Sequence, residues 1–569
     1  MTDLYTFPPA PTPDAIEWPG TPIGAGNCIT RTKTRTVIHD KSLDRHEGGR
    51  DALVGAAVAH ITKRAAHEPI YRHDVIIHGI RVRATTNSPH LYQLWVENWY
   101  SPEEWRAMTG LTPPQEPRVT VFALGGVSEQ PEAAYYSRKT NTIVFFNTAY
   151  YGQLKSWVLG AVGRVLAEEF GIHSIHGACV EKDGKGILYI APTGTGKSTS
   201  SYGLMTFPRT RFHSDDWVYV RYTYPTADGR RLHPMRVQLP NGHEVKGFRV
   251  FRWLESEAGR HPGALVSGLD LDNRDVTIPV NALDRHEAIA AYAFTSEKVF
   301  YLRTNLAENF PLAGLQLLRS TMENVPDVLP AYLEREAPML TALVDVIQMD
   351  RGEVSGLAQL SPDNLRQLFA RLISFDNARA MLDISNVLPR ERVFMNPMEP
   401  TKLSTVFLLK RNQDEPVILE HLSLPAFLGR LLRGETPDKK REIAYNAYRA
   451  VDDEEEREFV AVLEAGATKR SGPAYPIEDL AALMQRPDIP PSLAEEFELF
   501  RVMHQATQCY DLNTILAAHP QVRDKKRAVQ LTMELIAKVV DERLTGLNVR
   551  LEDLQSFLGR AGVPGAATR

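Results

Sequence analysis

Ile187-Leu188-Tyr189-Ile190-Ala191-Pro192-Thr193-Gly194-Thr195-Gly196-Lys197-Ser198-Thr199 is the stretch on which the fold turns. Its apolar start, Ile187 to Ile190, reads as a buried strand. A loop with glycines at 194 and 196 follows, then a lysine and two hydroxyl residues that open a short helix. Such a loop answers one physical need: phosphate oxygens must meet several backbone N–H groups converging on one point. Glycine lets the main chain approach with no Cβ in the way, and the helix N-terminus beyond adds its positive dipole end. Ala191, Pro192, Thr193, Gly194, Thr195, Gly196, Lys197, Ser198 and Thr199 are therefore read as a Walker A-type phosphate-binding loop. Lys197 would reach the β- and γ-phosphates of ATP, and the Ser198 hydroxyl would sit on Mg²⁺. The usual pattern opens with glycine; here Ala191 holds that place.

The next informative segment is Arg211-Phe212-His213-Ser214-Asp215-Asp216-Trp217. Asp215 comes 18 positions after Lys197. That leaves room for about two helical turns and one short strand. The acidic pair is thus expected on the strand next along the chain, at the end facing the phosphates. Two adjacent carboxylates beside a triphosphate can serve a metal and accept a proton; away from one they would merely cap a turn. Strand alternation places His213 on the face opposite Ser214. Cys179 reads as core filling, and His173 belongs to no motif.

Working outward, Gln153 to Phe170 is the clearest helix. Leu154, Trp157, Val158, Ala161, Val162, Val165 and Leu166 recur at three-and-four spacing along it. Ser174–Val180 and Gly186–Ile190 read as strands joined by a turn at Lys182-Asp183-Gly184-Lys185. Upstream, residues 75–77 and 80–83 read as strands turned at His78-Gly79, with more strands at 118–122 and 142–146 and a helix over 91–99. Downstream, residues 275–280, 299–302 and 404–409 are strand candidates, and 305–390 and most of 476–560 read as helical.

Asn147-Thr148-Ala149-Tyr150-Tyr151-Gly152-Gln153-Leu154-Lys155, Ile175-His176-Gly177-Ala178, the loop at 191–198 and Ser214-Asp215-Asp216 together resemble the nucleotide core shared by ATP-dependent phosphoenolpyruvate carboxykinases and HPr kinase/phosphorylase. The resemblance is strong over about 147–220 and loose over about 75–430. It does not reach 1–70 or the tail. Ile76 to Tyr92 is also similar to the front of HPr kinase-related proteins. The resemblance implies an α/β chain with a carboxykinase-like P-loop core and a mixed sheet, a small N-terminal α/β module and a C-terminal helical domain. The expected divisions are a Pro-rich extension over 1–72, the module over 73–146, the core over 147–430 and the helical domain over 431–569. It implies that Asp215 holds the nucleotide's Mg²⁺. Asp216 would be the base that takes the acceptor's proton, or a ligand of a second divalent metal such as Mn²⁺. Lys155, His176 and Asp216 match the three ligand positions for that metal in carboxykinases. In the kinases the matching histidine and aspartates serve acceptor chemistry.

Composition bounds the rest. The chain has 569 residues, 43% of them hydrophobic, and a formal charge of −5. That excludes wholesale disorder and gives no global argument for nucleic acid or an anionic membrane. Three widely spaced cysteines point away from a disulfide framework and toward a reducing, cytoplasmic setting. No basic start followed by an apolar run marks a signal peptide, and no apolar stretch approaches a membrane span.

Three readings stand: a kinase moving the γ-phosphoryl of ATP to a hydroxyl on a protein or small molecule; a carboxykinase; and a nucleotide-gated regulator without turnover. The kinase asks least: loop, magnesium, base and an open acceptor site. The carboxykinase's Arg-containing Gly-Arg-Ser-Pro-like string has no counterpart here, and a substrate with carboxylate and phosphate needs placed arginines. Its lid string is missing as well. The C-terminal domain and Pro-rich arm are candidate surfaces for a protein partner.

Overall fold

The computed structural model describes residues 47–147, 151–191, 195–225, 290–295, 297–303, 337–349, 359–373, 388–433, 454–471, 491–515, 525–544 and 546–559. Shorter strands at 4–6, 16–18, 21–23, 28–32, 39–42, 231–238, 244–251 and 379–383, and a few single positions, are also described. The chain divides into two units. The first takes Met1–Glu103, Pro113–Val158 and Glu297–Arg390; the second takes Glu104–Thr112, Leu159–Ser296 and Glu391–Arg569.

The first unit is organised by β1 (His39–Ser42), α1 (Gly49–Arg64), β2 (Tyr71–Ile77), β3 (Ile80–Thr86), α2 (Pro89–Asn98), β4 (Val119–Leu124), β5 (Ala133–Ser137) and β6 (Thr142–Phe146). The strands form one sheet in the order β1-β5-β6-β4-β3-β2. His78 (φ 45) and Gly79 (φ 82) turn β2 into β3 with two left-handed residues, the backbone that matches strand twist. Ser88 caps α2 by accepting the Leu91 N–H at 3.3 Å. Ala57 of α1, with Leu53, Val54 and Ile61, packs on Leu124, Val144 and Phe146. This corrects the expected boundary at 72. α1 and β1 belong to the small α/β unit, because the helix needs that sheet face to bury its apolar stripe.

α3 (Tyr151–Phe170) is the helix expected from periodicity, and all seven stripe residues are buried. Its residues are shared between the units, which divide after Val158.

The second unit contains β7 (His173–Ile175), β8 (Gly177–Lys182), β9 (Lys185–Ile190), α4 (Lys197–Leu204), β10 (Thr210–Ser214), β11 (Val218–Pro225), β12 (Ala290–Thr295), β13 (Thr401–Lys410), β14 (Val417–His421), α5 (Leu424–Arg433), α6 (Pro491–Ala506), β15 (Gln508–Asn513), α7 (Lys525–Glu542) and β16 (Asn548–Arg550). Its mixed sheet runs β10-β8-β9-β13-β12-β11, with β15 beside the far half of β13 and β14 and β16 beyond it. β9, β13 and β15 are parallel. On one sheet face Leu188, Ile190, Val406, Leu408 and Cys509 pack with Phe427 and Leu431 of α5 and Phe500 and Met503 of α6. Residues of opposite parity, Tyr189, Phe407 and Tyr510, stack across the three parallel strands with ring centres 5.7 and 5.5 Å apart.

The tail departs from expectation. Residues 431–569 are expected to form a separate helical domain, but β15 is an interior strand of the sheet that holds β9 and β13, hydrogen-bonded to β13 on one side and β14 on the other. α7 packs closely against α4 at Gly203: a Cβ there would lie 2.7 Å from Met533 Sδ, so the methionine side chain would have to move aside. The sheet, not a linker, holds the tail. Of the other expected strands, 299–302 is found within Val299–Arg303, and 275–280 lies outside the described residues. Among the described residues no helix is long and apolar enough to cross a membrane.

Candidate functional site

The site follows from three strand directions. Asp183 (φ 53) and Gly184 (φ 73) turn β8 tightly into β9, so β8 begins where β9 ends, with Gly177 opposite Ile190. β10 is antiparallel to β8 and ends at that same edge, with Ser214 opposite Cys179. Three segments therefore meet there: the loop leaving β9, His176 ahead of β8, and the acidic pair after β10. Gly177 is required by this packing, since a Cβ on it would stand 2.7 Å from the Tyr189 carbonyl oxygen.

Lys197 opens α4, and the Ser200 N–H to Gly196 C=O bond of 2.9 Å closes the first turn. The lysine side chain is buried and folds back over the loop, donating to the Ala191 carbonyl at 2.7 Å. Its Nζ also lies 3.2 Å from His176 Nε2. The same Nε2 lies 3.2 Å from Asp216 Oδ1. One imidazole nitrogen is either acceptor or donor. Without a proton, Nε2 can accept an N–H from the Lys197 ammonium; carrying one, it can donate to Asp216 Oδ1. His176 is 2% exposed, whereas the Asp216 side chain is 29% exposed.

The acidic pair sits in a strained turn. The Trp217 N–H donates to the Asp215 carbonyl at 2.8 Å, closing a three-residue turn around Asp216 at φ 68. Aspartate tolerates this left-handed backbone better than most residues, and such strain is concentrated at functional positions. Trp217 is fully buried and anchors the turn, and Asp215 is buried beside it.

A bulge precedes the pair. Cys179 faces Ser214 while Val180 faces Phe212, so His213 is the extra residue of β10. The expectation that His213 and Ser214 point to opposite faces is thereby corrected: His213 Nδ1 lies 3.0 Å from Ser214 Oγ. Burial pushes the His213 pKa down to about 3, so the ring is neutral at ordinary pH and packs edge-on to Phe394 at 4.9 Å. Burial pushes the Cys179 thiol well up, in keeping with a core role.

The structure thus brings together Ala191, Thr195, Gly196, Lys197, His176, Asp215 and Asp216. Pro192, Thr193 and Gly194, and the side chains of Ser198 and Thr199, lie outside the described residues. Lys155 is in the first unit, where it forms a buried ion pair with Glu297 at 3.0 Å. Glu297 carries no motif in the sequence; it stands two positions ahead of the strand Val299–Arg303. Thr514 carries none either. Its Oγ1 donates to the Thr195 carbonyl at 2.8 Å. The available signal was the run Cys509-Tyr510-Asp511-Leu512, a short β-like stretch between two helices.

Asp215 and Asp216 are the two carboxylates that follow β10 at this end of the sheet, and a Mg²⁺ ion takes only one or two carboxylates and keeps several waters. His176 and Asp216 stand at the spacing of two neighbouring ligands of a six-coordinate metal. Among the described residues no group of three or more histidines, cysteines or acids could hold a metal.

No protein-family model matches the chain, and no curated protein matches it.

Proposed function

We propose that this chain is an ATP-dependent phosphotransferase, with a nucleotide core of the HPr kinase and phosphoenolpyruvate carboxykinase kind, that moves the γ-phosphoryl group of ATP to a hydroxyl on a protein or small molecule. One observation carries this reading: Lys197, His176 and Asp216 lie in a chain of 3.2 Å contacts at the edge where the glycine loop leaves its strand. The loop backbone at 191–199 would bind the triphosphate, with Lys197 leaving the Ala191 carbonyl for the β- and γ-phosphates. Mg²⁺ would neutralise charge developing on the phosphate oxygens, held by Asp215 and the Ser198 hydroxyl. Asp216 would take the proton from the acceptor hydroxyl as its oxygen bonds to the γ-phosphorus and ADP departs. His176 orients that carboxylate.

The His176–Asp216 contact also matches the paired metal ligands of a carboxykinase, the second reading. Incubation with ATP, oxaloacetate and Mn²⁺ separates the two: carbon dioxide release supports the carboxykinase. The test of the first reading is label transfer from γ-labelled ATP into fractionated lysate. Labelling of a protein or small molecule by the native chain, and none by Asp216→Asn, supports it. ATP binding without transfer in either assay would leave a nucleotide-gated regulator and remove the kinase.

A further inference from the structure

Thr514 follows β15 directly and joins the tail to the phosphate loop. Its Oγ1 lies 2.8 Å from Thr195 O and 3.2 Å from Lys410 O, the Thr195 carbonyl being the nearer acceptor of its one proton, and its N–H donates to Lys410 O at 2.8 Å. The platform beneath it is fixed. Asn513 is fully buried; its Nδ2 reaches the carbonyls of Asn412 (2.8 Å), Glu415 (3.3 Å) and Val417 (3.4 Å), and its Oδ1 accepts the Asn412 N–H at 2.9 Å. Lys410 is locked between Asp511 at 2.7 Å and Glu415 at 2.8 Å. A hydroxyl mounted on such a base holds whatever it bonds in one place.

What it holds is a peptide plane. In a trans peptide the C=O and the following N–H point in opposite directions, and the described residues contain no cis peptide bond. A Thr195 carbonyl drawn toward Thr514 turns the Gly196 N–H the other way, away from β15. Gly196 has φ 106, a backbone open to glycine alone, and Thr514 Cγ2 would be 3.8 Å from a Cβ at that position. The threonine therefore both orients the peptide and walls its rear side.

We propose that Thr514 is a positioning residue of the phosphate loop, which by holding Thr195 O aims the Gly196 N–H at the bound phosphates. The inference rests on reading 191–199 as a nucleotide site. It makes the interior strand of the tail part of the nucleotide machinery.

The test is calorimetric titration of the full chain with Mg²⁺-ATP. Thr514→Val keeps the branched shape and loses the donor; Thr514→Ala loses it without adding bulk; Thr514→Ser keeps it. The valine and alanine variants should raise the ATP Kd about fivefold, the loss of one hydrogen bond. The serine variant should bind as the native chain does. Melting temperatures of the valine and alanine variants should fall by no more than a few degrees, the loss of one intramolecular hydrogen bond, and that of the serine variant should stay close to native. Native affinity in both hydroxyl-free variants, or a serine variant as weak as the alanine one, would overturn the inference while leaving the nucleotide site standing. A native chain that binds no ATP would remove both.

Discussion

His176 Nε2 and Asp216 Oδ1 lie 3.2 Å apart, although 40 positions of chain separate them. Two antiparallel pairings create this contact. β8 reverses between β9 and β10, so its first residues arrive beside the last residues of both neighbours. The sheet thereby sets an imidazole between the loop lysine and a half-buried carboxylate without any long excursion of chain.

If Asp216 is the acceptor's base, Asp216→Asn should separate chemistry from binding. Asparagine fits the φ of 68 as readily as aspartate does, so the turn should persist. Label transfer should fall by about 100-fold or more, the range for loss of a general base, with the ATP Kd close to native. Unchanged transfer would take Asp216 out of the chemistry.

Gly177 should tolerate no side chain. In Gly177→Ala the new methyl meets a backbone carbonyl at 2.7 Å, which cannot rotate aside as a flexible side chain would. The β8–β9 hairpin must shift, at a cost of about 2 kcal/mol. Because His176 is its neighbour, activity should fall further than stability. Urea unfolding and label transfer on the same preparation measure the two effects, and native values of both would show that the hairpin has slack.

A pH dependence is expected in the first unit. Asp74 bonds Arg81 at 2.7 Å and Arg83 at 2.8 Å. Burial alone would raise its carboxyl, but hydrogen bonds from Arg83 and Arg81 and their charges outweigh that and hold it below the ordinary 3.8. A carboxyl lowered on folding stabilises the fold fully above its unfolded pKa and loses that contribution as pH falls through the folded value. Asp74→Asn should therefore cost about 1 kcal/mol near neutral pH, a figure tempered by the exposure of Arg83. The gap should close below about pH 4. A gap that persists at pH 2 would mean the arginines act through packing.

Local chemistry was legible in the sequence, and long-range pairing was not. The loop glycines, the seven-residue stripe of α3 and the His78-Gly79 and Asp183-Gly184 turns announce themselves within a few residues. The acidic pair is legible from its distance to the loop, and His176 only through resemblance; that His176 bonds Asp216 follows from strand order, which no local pattern encodes. The six residues of β15 read as helix in sequence because they sit between long helices, and only pairing to β13 makes them a strand. His213 was misplaced because alternation assumes an unbroken ladder, and the bulge at Cys179 and Val180 breaks it. α1 was assigned to an extension because nothing in residues 49–64 names the sheet that covers its apolar side.

The most direct measurement is the affinity of Mg²⁺-ATP for the native chain and for Lys197→Ala, taken by calorimetry on samples with matched melting curves. A triphosphate seated at 191–199 predicts saturable binding by the native chain and a Kd at least about tenfold weaker in the variant, as expected when a charge-assisted contact is lost. Equal affinity in the two proteins, or no binding by either, would contradict it.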